Sequence, residues 1–150
     1  MLYSAGILPY TPSGKILVGK SGVPEPRYAK RWGILKGKVE HQETIFDAAL
    51  REFQEESGIQ LDSSNNKYTL LGNFVIRHRK VKNLFVFVTE VDEQTIDTSK
   101  CDCSTFVQIR DKSYPEVSRL NFFEPKDALR LIYTSQVPIV KSFLLYYEQR

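Results

Sequence analysis

Apolar and polar residues follow two rhythms along this chain, and most of its elements can be read from them. From Thr44 to Ser57 the apolar positions Phe46, Ala49, Leu50 and Phe53 fall at i, i+3, i+4 and i+7, the stripe of a helix with one buried face. No proline or glycine interrupts that segment, strong helix formers fill its middle, and Gly58 follows as a left-handed stop. Ser4 to Tyr10 and Ile16 to Lys20 read as short strands joined by a turn at Thr11-Pro12-Ser13-Gly14. Trp32 to Leu35 predicts a further short strand leading into Lys36-Gly37.

Tyr68 to Arg77 and Asn83 to Val91 alternate or run apolar as two strands, and the short basic link His78 to Lys82 predicts antiparallel pairing. Thr105 to Ile109 and Glu116 to Phe123 are the remaining predicted strands. Pro125 opens a helix to about Tyr133, and Ile139, Val140, Phe143, Leu144 and Tyr147 mark a last one. Residues 21–31, with two prolines and a glycine, form a loop ending in Arg27, Lys30 and Arg31. No repeat or linker divides the 150 residues, which suit one domain. Segregated strands and helices predict an α+β sandwich.

The net charge of +3 fits an anionic substrate and is too small for a nucleic-acid coat. No apolar run approaches the roughly 18 residues of a membrane span, and the opening MLYSAGILPY lacks the pattern of a signal peptide. Cys101 and Cys103 sit too close together to staple a fold and have no histidine nearby for a zinc site. They read as reduced thiols of a cytoplasmic protein.

Chemistry concentrates on one helix. Glu52, Glu55 and Glu56 share a face at i, i+3 and i+4, a spacing at which like charges repel. Such a cluster is either a solvated acidic surface or a grip for a hard divalent cation such as Mg²⁺ or Mn²⁺, which takes oxygen ligands and reaches for substrate phosphates.

The surrounding spacing decides between these. Gly37, Glu43, Arg51, Glu52, Phe53, Glu55, Glu56, Gly58 and Ile59 match all nine constrained positions of the 23-residue signature of the Nudix hydrolases. The chain is therefore identified as resembling that family, a likeness that also touches Ser4 to Leu8, Trp32 to Glu40, and Tyr114 to Val117 with Phe122-Phe123. The resemblance implies the Nudix fold, an α/β/α sandwich with a mixed central sheet. It also implies a pyrophosphohydrolase, dependent on Mg²⁺ or Mn²⁺, that cleaves nucleoside diphosphate-linked substrates by attack of water on phosphorus.

Carried over position by position, Glu52, Glu55 and Glu56 would ligate the metals, one of them serving as base. Arg51 would fix one of those carboxylates by a bidentate pair, and Glu43 would support the site through a water or a hydrogen bond, with Glu40 as a further neighbour. Gly37 would allow a sharp loop that aims the carbonyl of Lys36 at a metal, and Gly58 would close the signature. A base or additional ligand from a later loop points to Glu116, with Glu90 as second candidate. Lys36, Arg27, Arg31, Arg77 and Arg79 are candidates for substrate phosphate; Tyr28, Phe74, Phe85 and Tyr114 are candidates for stacking on a base.

Family members that take ADP-ribose or dinucleoside polyphosphates commonly carry a proline or a tyrosine downstream of the signature. Here that stretch is Phe74-Val75-Ile76-Arg77, with neither. The implied partner is a small-molecule nucleotide, with nucleoside or dinucleoside polyphosphates foremost. The alternatives are the 5′-triphosphate or cap end of RNA, tracked by Arg77, Arg79, Lys80 and Lys82, and an ADP-ribose-type substrate. A non-catalytic nucleotide sensor would have lost signature glutamates, and none is lost.

Overall fold

The computed structural model describes residues 2–24, 32–77 and 80–150. Its frame is β1 (Leu2–Tyr10), which is buried at every position from Ser4 to Tyr10 and so must lie between two covering layers. β1 runs parallel to β6 (Val81–Glu90) along its whole length, from Leu2 opposite Lys82 to Tyr10 opposite Glu90. On its other edge it meets β2 (Ile16–Lys20) only at Tyr10 opposite Ile16. The two strands leave their turn and diverge, and residues 32–38 bridge the gap. β3 (Trp32–Gly33) pairs with β2, and β4 (Leu35–Lys38) pairs with β1, antiparallel in both cases. β9 (Arg119–Phe123) closes the far edge of β2, and β5 (Tyr68–Arg77) pairs antiparallel outside β6, as the short link between them predicts. One parallel pair in an otherwise antiparallel sheet makes it mixed.

The sheet is covered on both faces. α1 (Ile45–Ser57) packs Ala48, Ala49 and Phe53 onto Ala5, Ile7, Leu17 and Leu35. On the opposite face α2 (Pro125–Leu131) and α3 (Val137–Gln149) bring Ala128, Ile139, Val140 and Phe143 onto Leu8, Ile16, Val18 and Val86. Alternating residues of β1 thus serve different cores, and the architecture is the expected α/β/α sandwich. Among the described residues, no helix is long and apolar enough to cross a membrane.

Four expectations shift. Lys36 and Gly37 belong to β4, where Gly37 pairs with Ala5, so there is no sharp loop at that glycine. β6 begins at Val81, which takes Lys82 out of the connecting link. Residues 116–118 are not strand, so the last sheet strand starts at Arg119. A second small sheet pairs β7 (Phe106–Ile109) with β8 (Lys112–Pro115), turning through Arg110 at a φ of 58°.

Candidate active site

The helix carrying the acidic face is fixed at both ends. Thr44 caps it by accepting the Asp47 N–H at 3.0 Å, and Gly58 ends it at a φ of 78°, donating its N–H to the Gln54 carbonyl. The next carbonyls are met by a loop 45 or more residues downstream. Ser104 N–H donates to Glu55 at 2.7 Å, Asp102 N–H to Ser57 at 3.0 Å, and the Cys101 thiol approaches the Glu56 carbonyl at 3.5 Å. The same loop accepts the Glu116 N–H at the Thr105 carbonyl. It therefore ties the turn bearing Glu55 and Glu56 to Glu116. Both cysteines are free, and burial pushes the Cys101 thiol up to about 11, which leaves it unreactive at neutral pH.

Arg51 spends five donor contacts on this one spot. Nε and Nη2 grip Glu43 at 2.7 and 3.0 Å, Nη1 reaches Glu52 at 2.9 Å and Glu55 at 3.1 Å, and Nη2 also meets the Lys38 carbonyl at 2.9 Å. The bidentate partner is thus Glu43, because that side chain, folded back from the turn before α1, offers both oxygens side by side. Glu52 and Glu55 are held by single bonds. The guanidinium holds Glu43 below the usual carboxylate range and is itself held more firmly protonated by Glu43. Glu43 also accepts the Glu40 N–H at 2.9 Å.

Glu56 turns away from this clamp. It is 5% exposed and accepts the Lys36 N–H at 2.9 Å. Glu116 stands within hydrogen-bonding reach of it, and burial first, then Glu116, pushes the Glu56 carboxyl up to about 9. Burial likewise raises Glu52, with Arg51 opposing and Glu55 and Glu116 adding. A strand residue presents its N–H and C=O to the same edge, so the Lys36 carbonyl faces the Glu56 side as well. Lys36 itself is lowered by burial and by Lys82, against the pull of Glu56, Glu116 and Glu52.

Glu56 and Lys36 open onto a cleft of about 940 Å³ whose lining also includes Lys80, Lys82, Glu116, Gly33, Tyr133 and Gln136, while Glu52 and Glu55 are not part of that lining. Sequence-predicted residues divide accordingly. Glu116 reaches the site; Glu90 does not, lying at the exposed end of β6 near Tyr10. Arg77 is exposed and pairs with Val81, one position out of phase with Ile76 and Lys82, which line the cleft. Phe74 and Phe85 pack in the sheet layers, and Tyr133 is the aromatic residue among the described lining. Arg27, Arg31, Arg79 and Tyr28 lie outside the described residues.

Whether the donors suit a divalent cation can be judged from the carboxylates themselves. Among the described residues no three acidic, histidine or cysteine side chains form a ready cage. Instead Glu56 is a buried carboxylate facing another carboxylate, an arrangement that costs free energy until a cation or proton joins it. Such a donor set, oxygen-only and incomplete, suits Mg²⁺ or Mn²⁺, which keep waters and take further oxygens from substrate phosphates.

A family model for the NUDIX domain matches residues 2–143, and the chain belongs to that family. It is a hydrolase of the class acting on phosphorus-containing anhydrides. Its fold resembles that of a C. elegans Ap4A hydrolase in a binary complex, at 17% identity over all of both chains with a TM-score of 0.64. The NUDIX domain of Shewanella oneidensis NrtR complexed with ADP ribose matches at 12% identity over 97% of this chain and 88% of that one, TM-score 0.70. An E. coli dihydroneopterin triphosphate pyrophosphohydrolase matches at 17% identity over 96% and 95%, TM-score 0.65. At these identities the likeness establishes the fold.

Proposed function

We propose that this chain hydrolyses the diphosphate bridge of small nucleotides, nucleoside or dinucleoside polyphosphates foremost, with Mg²⁺ or Mn²⁺ bound at Glu52, Glu55, Glu56 and the Lys36 carbonyl. The observation that carries the reading is one cleft holding the Glu56–Glu116 pair beside three lysines, Lys36, Lys80 and Lys82. When bound, the cation would neutralise phosphate charge and acidify a water. Water oxygen then attacks phosphorus, the bridging P–O bond breaks, and the water's proton passes to the Glu56–Glu116 carboxyl pair. The lysines carry the charge that builds on the departing phosphate. Arg51 does not touch substrate; it aims Glu52 and Glu55.

The cleft sits near the upper end of ligand-site volumes, roughly 300–1,000 Å³, which supports a whole nucleotide as occupant. The likeness to an Ap4A hydrolase along the full chain supports the dinucleoside class, and that to an ADP ribose complex keeps such substrates in the test. A track for RNA has less support, since Lys80 and Lys82 point into the cleft while Arg77 faces away.

The deciding experiment is product analysis in ¹⁸O-labelled water with Mg²⁺ or Mn²⁺. The panel holds nucleoside triphosphates, dinucleoside polyphosphates, ADP-ribose, and capped or triphosphorylated RNA. Metal-dependent cleavage of a small nucleotide, with label on one phosphate product, is expected. Cleavage of RNA ends alone, or of nothing in the panel, would overturn the reading.

A further inference from the structure

Residues 34–38 present an edge that, among the described residues, no strand occupies, because β1 and β2 have diverged around it. Along this edge two N–H groups, two residues apart and so about 6.7 Å along the strand, are met by side chains from opposite layers. Lys36 N–H is taken by Glu56 from α1, and Ile34 N–H by the amide oxygen of Gln136 at 2.8 Å. Glu56 belongs to the chemistry. Gln136 has no part in it, yet it lines the same cleft and is 5% exposed.

The placement of Gln136 is built. Ile132 bridges to Trp32, Tyr133 N–H donates to the Trp32 carbonyl at 3.0 Å, and Gln136 N–H donates to the Tyr133 carbonyl at 2.9 Å. Gly33 makes room: a Cβ there would meet the Tyr133 ring at 2.9 Å and the Gln136 oxygen at 3.1 Å. Gln136 stands at the N-cap of α3 but makes no side-chain cap bond there. Its oxygen is committed to Ile34, which fixes the orientation of the amide and leaves the NH₂, a pure donor, for the cleft.

Resting on the function proposed above, we infer that Gln136 is a specificity-determining residue that donates from its NH₂ to a ring nitrogen or carbonyl on the nucleobase of the substrate, with Tyr133 flanking the base. The phosphates then lie over Lys36 and Lys82, toward Glu56 and Glu116. A buried donor of fixed direction discriminates strongly, because a ligand lacking the acceptor strands it.

The test compares kcat and KM for nucleoside triphosphates and for ribose 5-triphosphate, which lacks the base. Gln136→Glu keeps an oxygen for Ile34 N–H and removes the NH₂. The nucleotide-to-ribose ratio of kcat/KM should fall about tenfold, through KM. Gln136→Met, which also loses the Ile34 bond, should lower that ratio too. An equal loss on both substrates would show a structural role and overturn the inference. In parallel, the Gln136 side-chain NH₂ resonance should shift with added nucleosides and not with ribose; no shift, or the same shift with ribose, overturns it as well. If no small nucleotide of the panel is cleaved, the proposed function fails, while the NMR result still judges Gln136.

Discussion

Gly37 and Glu52 are in such close contact that a Cβ on Gly37 would overlap the Glu52 carboxyl group. Gly37 pairs with Ala5 inside β4, so its backbone cannot move aside without opening the sheet. The smallest possible change, Gly37→Ala, must therefore push Glu52 off its bond to Arg51. That carboxyl is the far end of a flexible side chain and can swing aside at little cost to stability, so the loss falls on the clamp. Turnover should fall at least about tenfold with the fold retained, as seen by circular dichroism and steady-state kinetics.

Arg51 predicts a second outcome. A lysine in its place would keep a positive charge but lose the planar fork that serves Glu43, Glu52 and Glu55 together. Arg51→Lys should lower activity or metal affinity by about 10- to 100-fold, the usual effect of losing a group that orients ligands. Titration of Mn²⁺ by electron paramagnetic resonance reads the affinity directly, and wild-type affinity in the variant would refute the role.

Much of this site was legible because its decisive spacings are local. Thr44, Arg51, the three glutamates and Gly58 lie on one helix or at its ends, where the 3.6-residue period maps sequence onto space. What escaped was set by pairing between distant segments. Gly37 reads as a loop glycine, yet its need for small size comes from Glu52 packed against a strand. Arg77 and Lys82 look equivalent in a basic stretch, but strand alternation sends one outward and the other into the cleft. β8 is not legible in the sequence because Lys112–Pro115 is short and ends in proline, with no glycine to mark its turn. Gln136 looks like a helix boundary; its bond to Ile34 joins residues 102 apart.

Gly58 offers a test of the tie between helix and loop. Its φ of 78° is unfavourable for any residue with a Cβ, and that atom would meet Asp102 Cβ at 2.6 Å. Gly58→Ala should cost about 1–2 kcal/mol from the backbone alone, with more from displacing the loop. Because that loop also holds Glu116 through the Thr105 carbonyl, kcat should drop further than stability predicts. Chemical denaturation and kinetics on the same sample separate the two; loss of stability with unchanged kcat would show that the loop does not position Glu116.

The carboxyl of Glu56 gives a prediction in pH. Burial and Glu116 raise it to about 9 in the absence of a cation, above its ordinary value of 4.5. The folded state then holds a proton that the unfolded state releases earlier. Its contribution to stability is complete below about pH 4.5 and is lost progressively as pH rises toward 9. Metal-free protein should melt at lower temperature as pH rises across that window. Mg²⁺ or Mn²⁺ must displace the proton, so metal affinity and the metal-induced rise in Tm should both grow with pH. Glu56→Gln keeps an acceptor for Lys36 N–H and offers an amide to Glu116. It should flatten the pH slope of the metal-free protein and cut turnover by about 100-fold or more. Calorimetry across that pH range, with and without Mn²⁺, together with kinetics on the variant, checks all three; an unchanged slope in Glu56→Gln would show that the titration belongs to another group.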